Sequence, residues 1–191
     1  MYTKIRIFIL TGLTCLLFSG CASYFYSEVP EPFTSNAETI ALDNQSYQEK
    51  LQKMVDKKFP KADVEIVTDH FNVLIAGQVE SKNTKTALAN FIKQQQFVED
   101  VYDYTTVTKK PSYSTSSSVI SKVQDRLSKE PDIDATKITV AFVDGVVYLL
   151  GTNVGDLTHL SRAIEGVYVI DGVKKVVDLE KPGPTDYSSA Q

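Results

Sequence analysis

One structural plan occurs twice along the chain, in residues 47–107 and again in residues 117–180. In each copy, apolar residues recur first at helical spacing and then in two short strand-like runs on either side of a tight turn. A second helical pattern and a final strand complete each copy. The turn is clearest in the second copy, where Asp144-Gly145 lies between two apolar runs. The chain is therefore predicted to be α+β, with the order helix–strand–strand–helix–strand in both copies.

Equivalent positions of the two copies carry similar residues. The first helix of each copy has the same apolar spacing, with Leu51, Val55 and Phe59 in one and Val119, Val123 and Leu127 in the other. Glycines near turns and strand ends are interpreted as backbone geometry, and these structural glycines are Gly77, Gly145, Gly151 and Gly172. Repeats of about sixty residues bury little core of their own, so we expect one copy to pack against the other.

The first 21 residues have the pattern of a bacterial lipoprotein signal. Lys4 and Arg6 precede a mostly apolar stretch, residues 7–18, that is shorter than the about 20 residues a membrane-spanning helix needs. The Leu-Phe-Ser-Gly run before Cys21 resembles a lipobox, in which the cysteine carries the acyl chains. We therefore expect a signal peptide at 1–20 and an acylated, palmitate-bearing Cys21. The alternative is an ordinary secretory signal with an incidental cysteine.

Polar segments flank and separate the two copies. Residues 21–46, which contain Pro30 and Pro32, are interpreted as the acylated cysteine followed by a flexible tether, residues 108–116 as a linker and residues 181–191 as a disordered tail. No aspartate of the kind that typically retains lipoproteins at the inner membrane follows the cysteine. The resemblance to lipoproteins therefore implies a lipid anchor in the outer membrane, with the chain facing the periplasm.

The composition and the scarcity of reactive motifs argue against an enzyme. The net charge is −4, so the chain lacks the basic footprint of a nucleic-acid binder. With Cys15 inside the signal and Cys21 as the anchor, no disulfide or four-thiolate zinc site is available, and the isolated His70 and His159 do not form one. No nucleophile elbow, phosphate-binding glycine loop or dinucleotide motif is present. We predict no catalytic residue, no metal and no cofactor.

The second copy resembles a BON domain. The resemblance is carried by the Gly-Val-Val-Tyr-Leu-Leu-Gly run at 145–151 and the Asp-Gly-Val-Lys-Lys-Val run at 171–176. The first copy resembles a degenerate BON domain, with Asp100-Val101 where Gly-Val is usual. Two such domains behind a lipobox resemble the dual-BON outer-membrane lipoproteins. The resemblance implies tandem domains, each with a three-stranded mixed sheet packed on two helices, and no catalytic apparatus.

The resemblance also implies a non-enzymatic role in envelope integrity, with binding of anionic phospholipid by the first helix of the second domain. The candidate lipid-binding residues are Val119, Ile120, Lys122, Arg126 and Lys129. The three cations recur at helical spacing and so share one face. Each would contribute about 1 kcal/mol near an anionic surface.

Two other interpretations stay open at this stage. The basic face is also compatible with a solvated helix surface, and the first copy has a comparable stripe at Lys50, Lys53 and Lys57. A second functional hypothesis is a periplasmic protein-interaction module that serves an envelope assembly machine without direct lipid binding.

Overall fold

The computed structural model describes residues 37–152, 154–155 and 157–180. In chain order the elements are α1 (Ala37–Lys58), β1 (Asp63–Asp69), β2 (Asn72–Val79), α2 (Lys82–Lys93), β3 (Asp100–Val107), α3 (Ser117–Ser128), a 3-10 turn (Ala135–Lys137), β4 (Ile138–Val143), β5 (Val146–Gly151), α4 (Leu157–Val167) and β6 (Lys175–Asp178). The predicted order of helices and strands is confirmed in both copies.

The first helix begins earlier than the sequence predicts. Residues 37–46, which we assigned to the tether, belong to α1. This stretch has no apolar period. Near its end, the Thr68 hydroxyl of β1 donates to the Asn44 carbonyl at 3.0 Å. The predicted signal peptide, Cys21, the rest of the tether as far as residue 36 and the tail at 181–191 lie outside the described residues.

Each copy folds into a three-stranded mixed sheet. β1 pairs antiparallel with β2 and β2 pairs parallel with β3, and the same arrangement relates β4, β5 and β6. The parallel pairing follows from the helix that crosses over between the last two strands. β2 continues through Gly77 to Val79 instead of ending at the glycine, because β3 pairs with it over that length.

Alternate strand residues face two different cores. One face of each sheet packs on the two helices of its own copy. The helix-facing core of the first copy contains Leu51, Val55, Val64, Ile66, Val73, Ile75, Val79, Leu88 and Ile92. That of the second includes Val119, Val123, Leu127, Val140, Phe142, Val147, Leu149, Leu160 and Val167.

The other faces of the two sheets pack against each other. This third core joins Val67, Leu74 and Ala76 of the first copy to Ala141, Val143, Tyr148 and Leu150 of the second. The rings of Tyr104 and Tyr148 meet across it, with 5.1 Å between centroids. The expectation that one copy packs against the other is confirmed. Burial on both faces also explains why β2 and β5 are almost continuously apolar.

The linker at 108–116 is attached to both copies by hydrogen bonds. The Tyr113 amide donates to Asp63 at 2.9 Å, and the Ser114 amide donates to Asp144 at 2.8 Å. Asp144 also accepts from Gln78 of the first copy at 2.9 Å. Burial would raise the pKa of Asp144, but these hydrogen bonds outweigh it and hold the pKa below its usual value. Asp144 thus connects the first copy, the linker and the second copy.

Two glutamines of α1 cover the free edge of β1. The Gln52 side chain accepts from the Ile66 amide at 2.9 Å and donates to the Val64 carbonyl at 3.0 Å. The Gln48 side chain accepts from the Thr68 amide at 3.0 Å. The side-chain amides therefore take the place of a neighbouring strand, which protects an edge that would otherwise be open to pairing with another chain.

Candidate functional site

The candidate site is built on α3, the first helix of the second copy. Ser116 caps it, because its hydroxyl accepts a hydrogen bond from the Val119 amide. Val119, Val123 and Leu127 lie on one stripe and are buried in the helix-facing core. The stripe fixes the rotation of α3, and with it the side chains that reach the surface.

The two apolar candidates belong to the core. Val119 is 8% exposed and is part of the buried cluster. Ile120 is half-buried and packs against the same cluster. Neither residue therefore offers much apolar surface to a membrane in this structure.

Arg126 reaches across to α4 instead of facing solvent. Its guanidinium donates to Glu130 at 3.2 Å, and Arg162 of α4 donates to the same carboxylate at 3.2 Å. The Glu130 side chain is only 6% exposed. Burial would raise its pKa, but the hydrogen bond from Arg126 and the charges of both arginines lower it. A side chain at Gly166 would collide with this guanidinium, so the glycine lets Arg126 cross α4.

The polar cluster at this end of α3 has two further members. The Nδ1 atom of His159 lies 3.6 Å from Glu130, and its Nε2 atom lies 3.7 Å from Asp132. The cluster joins the end of α3 to the start of α4. Among the described residues, no group of three or more His, Cys, Asp or Glu side chains is placed to hold a metal ion.

Lys122 and Lys129 are the candidates that reach solvent. Both are exposed. Lys129 forms an ion pair with Asp125 at 2.5 Å. Lys122 forms no ion pair within the part of the chain that the structure describes. Of the five predicted lipid-binding residues, Lys122 is thus the cation most accessible to a phosphate.

The sequence reading missed an apolar turn that follows α4. Tyr168 and Val169 are 49% and 82% exposed. The sequence signal for this turn is the uninterrupted apolar run from Val167 to Ile170. Residues at helical spacing face the core on one side only, so part of such a run must remain exposed. We refer to residues 168–172 as the α4 turn.

A second buried polar cluster lies at the boundary between the two sheets. Asp69 of β1 has a side chain that is 6% exposed, and the Thr139 hydroxyl of β4 lies 3.5 Å from it. Glu180 follows β6, and neither of its buried carboxylate oxygens has a hydrogen-bond partner among the described residues. Burial, together with the charges of Asp178 and Asp69, raises the pKa of Glu180 to about 8.

The four predicted glycines occupy positions that restrict a side chain. Gly77 has φ +128°, and a Cβ there would lie 2.5 Å from the Asp63 carbonyl oxygen. At Gly151 a Cβ would lie 2.6 Å from the Lys137 carbonyl oxygen. Gly145 and Gly172 have φ values of +88° and +94° at turns.

Comparisons with known proteins cover most of the chain. The family described as BON domain matches residues 44–109 and 115–179. The sequence is 30% identical over 146 residues to a protein of Haemophilus influenzae named outer membrane lipoprotein DolP, covering 73% of this chain and 75% of that protein. No helix among the described residues combines the length and apolar character needed to cross a bilayer.

Likeness to solved structures is weak. A structure of CdsD, a structural protein of the type III secretion system of Chlamydia trachomatis, gives a TM-score of 0.30 at 14% identity, over 73% of this chain and 64% of that one. The periplasmic domain of the inner membrane protein PrgH from S. typhimurium gives a TM-score of 0.28 at 12% identity, over 72% and 77%. Likeness at this level does not establish a common function.

Proposed function

Because this chain belongs to the BON domain family and is a lipid-anchored outer-membrane protein, we propose that it binds anionic phospholipid through its second domain and thereby supports envelope integrity. Acylated Cys21 is the anchor in this proposal. The anchor keeps the folded domains close to a bilayer, so a weak contact between a domain and lipid headgroups occurs at high effective concentration.

The observation that carries the proposal is the exposed side chain of Lys122 on α3, which forms no ion pair with any of the residues that the structure describes. Lys122 lies on a capped helix whose orientation the core fixes. Two acidic residues at the end of α3, Asp125 and Glu130, are neutralised by Lys129 and by the two arginines. The local charge is therefore more favourable to a phosphate than the acidic chain as a whole.

Vesicle sedimentation of an unacylated chain tests the proposal. The mature chain with Cys21→Ser is mixed with phosphatidylglycerol or phosphatidylcholine vesicles at low and at high salt. We expect binding to the anionic vesicles only, and weaker binding at high salt because salt screens exposed charges. Failure to bind phosphatidylglycerol vesicles would contradict lipid binding and favour the protein-interaction hypothesis, which predicts recovery of a specific protein by cross-linking in cells.

Substitution of Lys122 tests the position of the contact. Lys122→Glu should weaken binding to anionic vesicles by about 30-fold, because an attraction of about 1 kcal/mol is lost and a repulsion of about the same size is gained. Lys50→Glu is the matched control, since Lys50 is an exposed helical lysine of the first domain. Equal effects of the two substitutions would mean that only the net charge matters, and would refute the assignment to α3.

A further inference from the structure

The α4 turn exposes apolar side chains that the fold does not need. Val169 is 82% exposed and Tyr168 is 49% exposed. The residues on either side point inward: Val167 is part of the core, and Ile170 packs against it. The turn is held in place by two backbone hydrogen bonds, from Ile170 to Val167 at 3.1 Å and from Val173 to Ile170 at 3.0 Å. A fixed turn thus presents Val169 to solvent.

The α4 turn lies alongside the part of α3 that carries Lys122. The two helices are antiparallel, because Arg126 of α3 crosses at Gly166 and Val119, earlier in α3, lies next to Gly172. Lys122 is between these two contacts along α3 and shares the face of Arg126, four residues later. The exposed cation and the exposed apolar turn therefore belong to one surface of the second domain.

The lipid anchor and the exposed lysines beside the α4 turn favour an anionic bilayer over an apolar protein groove. Lys174 follows the turn and is exposed, as is Lys122, and the exposed carboxylates of Asp171 and Glu165 lie on the same part of the chain. Lys175 does not belong to this surface, because it alternates with the core residue Val176 and so lies on the opposite face of β6. Lysines that flank an apolar tip reach headgroup phosphates while the tip enters the acyl boundary.

We infer that the α4 turn is a membrane-inserting element, in which Val169 and Tyr168 enter an anionic bilayer beside Lys122. The inference rests on the proposed phospholipid binding and adds the apolar contact to it. The turn would provide the apolar contact with the membrane that α3 does not provide, because Val119 and Ile120 pack in the core.

A single-tryptophan reporter tests the insertion, because the chain contains no tryptophan. Val169→Trp in the mature chain with Cys21→Ser should show a blue shift of fluorescence on addition of phosphatidylglycerol vesicles. Phe97→Trp is the matched control, since Phe97 is 46% exposed in the turn before β3 of the first domain. Its emission should not shift.

The outcomes separate the two proposals. If the chain without tryptophan sediments with the vesicles but Val169→Trp gives no shift, insertion of the turn is refuted and phospholipid binding stands. If that chain does not sediment, both are refuted. A shift at Val169→Trp that is matched at Phe97→Trp also refutes a specific insertion.

A second variant tests the apolar contact directly. Val169→Asp should weaken sedimentation with phosphatidylglycerol vesicles about tenfold, because a carboxylate replaces an apolar side chain that would leave water on insertion. An unchanged affinity contradicts the inference.

Discussion

Gln52→Ala removes the side chain that substitutes for a neighbouring strand at the edge of β1. The glutamine accepts from the Ile66 amide and donates to the Val64 carbonyl, at 2.9 and 3.0 Å. Ile66 and Val64 are 1% and 4% exposed. In the variant both backbone groups lose their protein partner while the strands and the helix keep their apolar packing.

The expected cost follows from these two hydrogen bonds. Each would contribute about 1 kcal/mol, and a buried group left without a partner costs more, about 1–3 kcal/mol. The groove between α1 and β1 is open and lets water reach part of the vacated space. We therefore expect the free energy of unfolding to fall by about 2 kcal/mol.

Urea unfolding followed by far-ultraviolet circular dichroism measures this change. Gln124→Ala is the control, because Gln124 is an exposed glutamine within α3 and the substitution is chemically the same. Hydrogen exchange adds a residue-specific measurement, in which the Ile66 amide should lose protection in Gln52→Ala. A stability equal to that of Gln124→Ala, with unchanged protection of Ile66, would refute the role assigned to Gln52.

Two further predictions concern the buried carboxylate and a strand glycine. The pKa of Glu180 is about 8 in the fold and 4.5 without burial, so the free energy of unfolding should fall as the pH rises between these values. Glu180→Gln should remove about 1–2 kcal/mol of this decline, a value that is discounted because the side chain is partly exposed. Parallel curves of stability against pH for the two proteins would contradict the prediction. Gly77→Ala should cost about 3 kcal/mol of stability, because the new Cβ would collide with the neighbouring strand. Gly172 also has a positive φ, but a Cβ there would lie 3.7 Å from its nearest neighbour, so Gly172→Ala should cost only about 1 kcal/mol. Thermal unfolding measures both losses, and equal losses would contradict the close approach at Gly77.

Period and turn chemistry were sufficient to predict much of the fold. The Asp144-Gly145 hairpin and the buried stripe of α3 both follow from local patterns. Residues 37–46 were missed because this part of α1 has no apolar period from which a helix could be predicted. The sheet-to-sheet packing was expected only in general terms, from the small size of each copy.

The candidate site was less accessible to sequence reasoning. Spacing alone places Lys122, Arg126 and Lys129 on one face, but it does not show that Glu130 draws Arg126 towards α4. That outcome depends on how two helices distant in sequence pack. Val169 was missed because an apolar run is normally interpreted as core, and its exposure becomes evident only once the end of α4 is known.

Residue-resolved nuclear magnetic resonance of the mature chain with Cys21→Ser and bilayer nanodiscs tests the central claim most directly. On addition of phosphatidylglycerol nanodiscs we expect amide signals around Lys122 and Val169 to broaden or shift, with the first domain's Lys50 and Phe97 unaffected. Phosphatidylcholine nanodiscs should leave the spectrum unchanged. Perturbation centred on the first domain, or no perturbation by anionic nanodiscs, would contradict binding of phospholipid through the second domain.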